Sequence, residues 1–243
     1  MIALRFLSFC VMICISTKVI SKPAKNELNI TKVHCLGDAG LAENTFIFLE
    51  GLRELGGADQ TYKKNFAQLK AFSEKYPVQV VIPEVDFSCK NRRTPDAKIA
   101  CWTMGLEAKE TLLNKWKLLR TALQSCQDKI PEKKRMTVQT RYIGFSNGGY
   151  FLNRLYQLCS LEQLKGRSYV AVGMAGVEPM DRSYKICGSY MLAIGSKDVL
   201  NYKKAKTLYE KFLAKNAAIK FYEYSGGHYL TAELLEYLLN TTW

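Results

Sequence analysis

Two histidines in 243 residues set the narrowest limit on the chemistry this chain can carry. His34 and His228 do not make up the ligand sets that zinc usually takes, and the cysteines lack paired Cys-x-x-Cys spacing, so no metal site is expected. No cofactor motif is present. Nucleic-acid-binding motifs are missing as well, which removes DNA and RNA from the expected partners despite the basic composition. Beyond the first segment no apolar stretch is long enough to span a bilayer. Internal repeats and low-complexity tracts are absent, and no Pro/Gly/Ser-rich linker divides the chain. One domain with a sizeable core is therefore expected.

The first segment differs in kind from the rest. Met1 to Arg5 is a short basic start, Phe6 to Ser16 is apolar, and Val19-Ile20-Ser21 offers a place for a cut. That layout predicts a secretory signal peptide over residues 1–21, a single mature domain over 22–243, and a secreted or periplasmic location. The cysteines beyond the cut are Cys35, Cys89, Cys101, Cys126, Cys159 and Cys187, an even number that suits disulfides in an oxidising compartment. Cys89 and Cys101 bracket a polar loop between a strand and a helix and are the expected pair. The formal net charge is +13, and a cut after Ser21 would remove only Arg5 and Lys18 from the basic side. Such an excess suits an anionic substrate or surface, and equally plain solubility.

Chemistry enters at Gly144-Phe145-Ser146-Asn147-Gly148-Gly149. A β-branched and aromatic run (137–143) precedes it and a helix-like segment from Tyr150 follows. Gly-x-Ser-x-Gly in that setting is a nucleophile elbow, a sharp turn that lifts a serine hydroxyl above a sheet. A serine of ordinary pKa needs a base. His34 stands in a stretch with no other catalytic feature and reads as a satisfied structural histidine. His228 follows the alternating strand at 219–224, freed by Gly226 and Gly227, and is placed like a general base. The third member is a carboxylate between them. Asp198 ends the apolar strand 190–194 after Gly195-Ser196-Lys197, where it can accept the Nδ1–H of His228 and fix its tautomer. Asp181 is the rival, at a looser remove from the strand at 169–175.

The rest of the chain alternates strands (45–51, 78–83) with amphipathic helices (62–76, 104–126, 202–215, 231–239). Near-continuous apolar strands interleaved with helices predict a mostly parallel sheet covered on both faces. In such sheets the ligand site lies beyond the carboxyl ends of the strands, where Ser146, Asp198 and His228 all fall.

With these pieces in order, the chain resembles an α/β-hydrolase. Its motifs are most similar to the secreted polyhydroxybutyrate-depolymerase and feruloyl-esterase-like group. The resemblance runs from Phe48-Leu49-Glu50-Gly51 through Val80-Val81-Ile82-Pro83-Glu84 and Cys101-Trp102 to the elbow, Asp198 and His228. It departs at Glu50, where the family has histidine, and at Thr103-Met104-Gly105, where the family has aromatic residues. It implies a three-layer fold without a large lid and acyl transfer through an acyl-enzyme on Ser146. The oxyanion would be held by the backbone N–H of Asn147 and one from the turn after the first strand, at Leu52. Glu50 is expected to turn away from the oxyanion and pair with a base such as Arg53. Arg92, Arg93 and Trp102 are the expected substrate contacts, the two arginines lying in a basic loop that suits an anionic ester. A peptidase or a lipid or thioester hydrolase would use the same triad. A catalytically idle binding protein on this fold would usually have lost the serine or the histidine, and both are present.

Overall fold

The computed structural model describes residues 28–54, 59–89, 99–104, 107–158, 168–174, 189–214 and 219–241. The expected signal peptide, Cys159, Cys187, Asp181, Arg92 and Arg93 lie outside the described residues. In chain order the elements are β1 (Ile30–Leu36), β2 (Asn44–Leu49), β3 (Arg53–Glu54), α1 (Gln60–Lys75), β4 (Val78–Val85), β5 (Ser88–Cys89), β6 (Ile99–Ala100), α2 (Lys109–Gln127), α3 (Glu132–Arg135), β7 (Gln139–Phe145), α4 (Asn147–Leu158), β8 (Ser168–Val172), β9 (Ser189–Gly195), α5 (Tyr202–Leu213), β10 (Ile219–Tyr224) and α6 (Ala232–Asn240).

Seven strands form one sheet in the order β1-β4-β2-β7-β8-β9-β10. Every neighbouring pair is parallel except β1 with β4, so a single antiparallel edge strand departs from an otherwise parallel sheet. Side chains alternate across it with the period of two that a strand imposes. Ile47, Leu49, Tyr142, Tyr169, Ala171, Tyr190 and Leu192 face one core, with Leu112, Trp116, Leu119 and Leu123 of α2, Phe151 and Leu155 of α4, and Leu208 and Phe212 of α5. Their sequence neighbours Phe46, Phe48, Ile143, Val170, Val172, Met191 and Ala193 face the other, with Leu69 and Phe72 of α1 and Leu234, Leu235 and Leu238 of α6. These are the expected three layers. Each fully buried side chain of this size contributes roughly 1.5–3 kcal/mol, and a one-residue slip of any central strand would exchange the two cores.

Helix starts follow local capping chemistry. The Asp59 carboxylate accepts the N–H of Tyr62 at 2.9 Å, and the Thr231 hydroxyl accepts that of Leu234 at 3.2 Å. α2 begins at Lys109, later than the expected residue 104, and residues 101–104 form a strap that is neither helix nor strand. That strap leaves a small antiparallel sheet, β3-β6-β5, beside the carboxyl ends of the main strands. Cys89 and Cys101 sit side by side with Cα atoms 6.0 Å apart, as do Cys35 and Cys126 at 5.6 Å. His34 is satisfied as expected: its Nε2 lies 2.6 Å from Glu84 Oε1 and its ring packs edge-on against Phe66.

The strand that leads to Ser146 carries a buried charge. Arg141 of β7 is 2 % exposed, and its guanidinium donates to the carbonyls of Leu238, of Leu239 at 3.2 Å and of Thr241 at 3.0 Å. It thereby caps the end of α6, where carbonyls lack partners and the helix dipole favours a cation.

Candidate active site

Ser146 leaves the carboxyl end of β7, where strand order reverses between β2 and β7. It is the one non-glycine residue with positive φ among the described residues, at 48°. Such a conformation persists only when its surroundings over-determine it. They do: Ser146 N–H donates to Val172 C=O at 2.8 Å, and its own C=O accepts from Tyr150 N–H at 3.0 Å. The turn is so tight that a Cβ on Gly144 would collide with the backbone of Gly148, and one on Gly148 with that of Leu49.

Asp198 and His228 arrive from the tips of β9 and β10. Asp198 is 4 % exposed, and its Oδ2 lies 2.7 Å from His228 Nδ1. The imidazole is more open, at 38 % side-chain exposure. His228 packs on Phe145, the residue before Ser146, with ring centroids 4.7 Å apart. Gly173, at φ 62°, makes room for it, since a Cβ there would stand 3.0 Å from His228 Nδ1. The histidine loop is braced from below. Tyr224 hydroxyl donates to Tyr229 C=O at 2.9 Å, and Leu230 N–H donates to the Asn65 carboxamide oxygen at 2.8 Å.

Asn201 completes this half. Its Nδ2 donates to both Asp198 oxygens, at 3.0 and 3.2 Å, and lies 3.2 Å from His228 Nδ1. A donor cannot bond to Nδ1 while Nδ1–H points at Asp198, so the carboxylate is the acceptor of both groups. Asn201 occupies the N-cap position of α5, yet its side chain makes no cap bond to that helix.

On the other side of Ser146 stands the turn after β2. Gly51 approaches so closely that a Cβ on it would lie 3.1 Å from that of Ser146. Glu50 C=O accepts the N–H of Gly148 at 3.0 Å, tying this turn to the elbow. The Glu50 side chain turns away and meets Arg53 Nε at 3.2 Å, as the sequence suggested. Burial pushes its carboxyl up to about 8, against the pull of Arg53 and with help from Glu84. Leu52 is exposed at the tip of the turn.

Asn147, first residue of α4, has an amide N–H with no acceptor one turn back. Its side chain clamps the strap: Oδ1 accepts the N–H groups of Trp102 at 2.6 Å and Thr103 at 3.2 Å, and Nδ2 donates to Thr103 C=O at 3.0 Å. Trp102 is fully buried and stacked on Phe151 at 5.6 Å, so it backs the site from within the core instead of meeting substrate as expected. Lys115, also buried, donates to Trp102 C=O at 2.8 Å and to Glu107 Oε1 at 2.6 Å. Burial holds its ammonium below the ordinary lysine range, with Glu107 opposing that shift.

A family model described as serine hydrolase (FSH1) matches residues 30–234. The chain belongs to that family. Among solved structures this serine hydrolase is similar to the esterase PE8, at 16% identity over 87% of this chain and 96% of that one, with a TM-score of 0.54. It is also similar to a carboxylesterase from Mesorhizobium loti, at 13% identity over 88% and 100% of the two chains (TM-score 0.56). A third likeness is to acyl-protein thioesterase 2 of Zea mays, at 17% identity over 85% and 95% (TM-score 0.52). At such identities the likeness is one of fold, that of the α/β-hydrolases. No curated protein matches the chain.

Two contributors to the hydrolase site escaped the sequence. Asn201 had a usable signal, an asparagine ahead of a helix and three residues after the acid, but that pattern ordinarily means a cap. The clamp made by the Asn147 side chain had none, because its partners sit more than forty residues upstream and meet it only in the folded chain.

Proposed function

We propose that this serine hydrolase is exported and cleaves carboxylic esters, with Ser146 as nucleophile, His228 as general base and Asp198 as the carboxylate that orients it. The observation that carries the reading is a strained serine at a strand tip, packed through Phe145 against a histidine whose Nδ1 lies 2.7 Å from a buried aspartate. His228 takes the hydroxyl proton as Ser146 attacks the carbonyl. Asp198 stabilises the imidazolium, which then protonates the leaving alcohol. Water cleaves the acyl-enzyme by the same route in reverse. The N–H groups of Asn147 and Leu52 receive the oxyanion, worth about 2.7–4 kcal/mol per donor in comparable sites.

Esters are favoured over amides by the esterase and carboxylesterase folds to which the chain is similar. The narrower reading, a polyhydroxybutyrate or feruloyl ester, rests on the Pro-Glu and Cys-Trp pieces alone. Export is supported by the leader over residues 1–21 together with two cysteine pairs at bridging distance, Cys35 with Cys126 and Cys89 with Cys101. A fluorophosphonate probe should label Ser146 and no other residue. Turnover should then rank short-chain esters above a matched thioester, a feruloyl ester and a peptide amide. Absence of labelling in folded protein would overturn the assignment, and preference for the amide would overturn the substrate class. Peptide mapping without reductant should recover both cysteine pairs joined.

A further inference from the structure

The turn Glu50-Gly51-Leu52-Arg53 passes directly beside the nucleophile, and side chains join its two ends. Arg53 Nε donates to Glu50 Oε1 at 3.2 Å, while Glu50 Oε2 is buried with no side-chain partner among the described residues. The guanidinium is anchored in turn. It donates to Val85 C=O at 3.3 Å, lies 3.6 Å from Glu84 Oε2, and sits over the Tyr62 ring at 5.1 Å. Glu84 is fixed by His34 at 2.6 Å and by the Tyr62 hydroxyl at 3.0 Å. The base of the turn is thus tied to β1, β4, α1 and the elbow, whereas Leu52 at its tip is 47% exposed. A cavity of about 20 Å³ lies against the turn, so apolar packing does not immobilise it from that side.

A buried contact between a carboxyl group and a guanidinium is a poor source of net stability, since desolvating both partners costs about what their attraction returns. What it fixes is conformation. We propose that Glu50 and Arg53 are positioning residues whose contact staples this turn and aims the Leu52 backbone amide at the oxyanion. The proposal rests on the reading of Ser146 as nucleophile. Oxyanion donors act only when aimed at the place where charge develops, so a slack turn should lower kcat and leave KM almost alone.

The test uses full-length purified enzyme, a short-chain ester and a boronic acid that forms a tetrahedral adduct on Ser146. Glu50→Ala should lower kcat about 100-fold, the scale of a misplaced catalytic group, with KM within about two-fold and boronate affinity falling in parallel with kcat. Glu50→Gln should recover most of the loss, because its carboxamide oxygen still accepts from Arg53. Arg53→Lys keeps the charge but not the Nε–H, and should show the same split at about 10-fold. It decides the matter if Glu50→Ala fails to fold. Wild-type kcat and boronate affinity in a folded variant, or a Glu50→Gln as poor as Glu50→Ala, would overturn the staple. Turnover surviving in Ser146→Ala would instead remove the nucleophile assignment, a separate failure.

Discussion

On the β9–β10 side of Ser146 a buried carboxylate is surrounded by donors; on the β2–β4 side another is not. Asp198 and Glu50 are almost equally hidden, at 4% and 2% exposure. Asp198 accepts from His228 through Oδ2 and from Asn201 on both oxygens. Glu50 accepts from Arg53 on one oxygen, the other has no side-chain partner among the described residues, and burial raises its carboxyl to about 8. Burial alone does not decide what a carboxyl group does; the donors brought to it do. One half of the site surrounds its carboxyl group with donors, His228 among them. The other holds a group that keeps its proton near neutrality and shapes the backbone.

The comparison breaks most completely if the chemistry lies elsewhere. Ser146→Ala and His228→Ala should each remove turnover by about 10⁶-fold, and the double variant should be no worse than either, because the two act as a unit. Steady-state assay with active-site titration checks this. Asp198→Asn should cost about 10⁴-fold through the wrong imidazole tautomer, with thermal stability largely kept. If Asp181→Asn carries that loss instead, the acid has been misassigned.

Asn201→Ala sharpens the contrast. It removes a donor from Asp198 and should lower kcat about 10-fold, since hydrogen bonds to charged groups are worth about 1.5–3 kcal/mol. Asn201→Asp should place a second carboxylate beside His228 and move the acidic limb of the pH–rate profile upward. An unchanged profile would make Asn201 a passive neighbour.

The smallest effect concerns stability. Glu50 titrates near 8 in the folded chain, against an ordinary value of 4.5. Between those values the folded protein retains a proton that the unfolded chain has released, so this group's stabilising contribution falls as pH rises through the window. Glu50→Gln has no proton to lose, and its Tm should decline less from pH 5 to pH 8 than that of the wild type. Parallel Tm curves would show that Glu50 titrates in its ordinary range.

Those features were unequally legible. The two-core alternation was readable because β-branched and aromatic runs are long and the strand period is short, and the same runs located the three strand tips that carry Ser146, Asp198 and His228. Glu50 was anticipated as a partner of Arg53, but its depth was not, since a glutamate after a strand usually faces water. β3, β5 and β6 are two residues each and carry no period at all. Trp102 stands next to a cysteine that ends a polar loop, which suggested a substrate contact, while the clamp from Asn147 folds it inward against Phe151. What the chain hid were contacts between segments far apart in sequence.

Arg141 gives this architecture an order in time. The strand that leads to Ser146 carries a guanidinium whose acceptors include the carbonyls of Leu238, Leu239 and Thr241. Until that helix docks, the strand must either leave Arg141 in water or bury it with the Gln139 side chain and the Phe46 ring in place of those carbonyls, and a poorly paired buried charge costs several kcal/mol. The chain therefore gains little by closing its central strand before α6 is free to pack. Hydrogen-exchange protection of β7 and of α6 should then appear together during refolding, so that docking of α6 and the setting of the strand beneath Ser146 are one event.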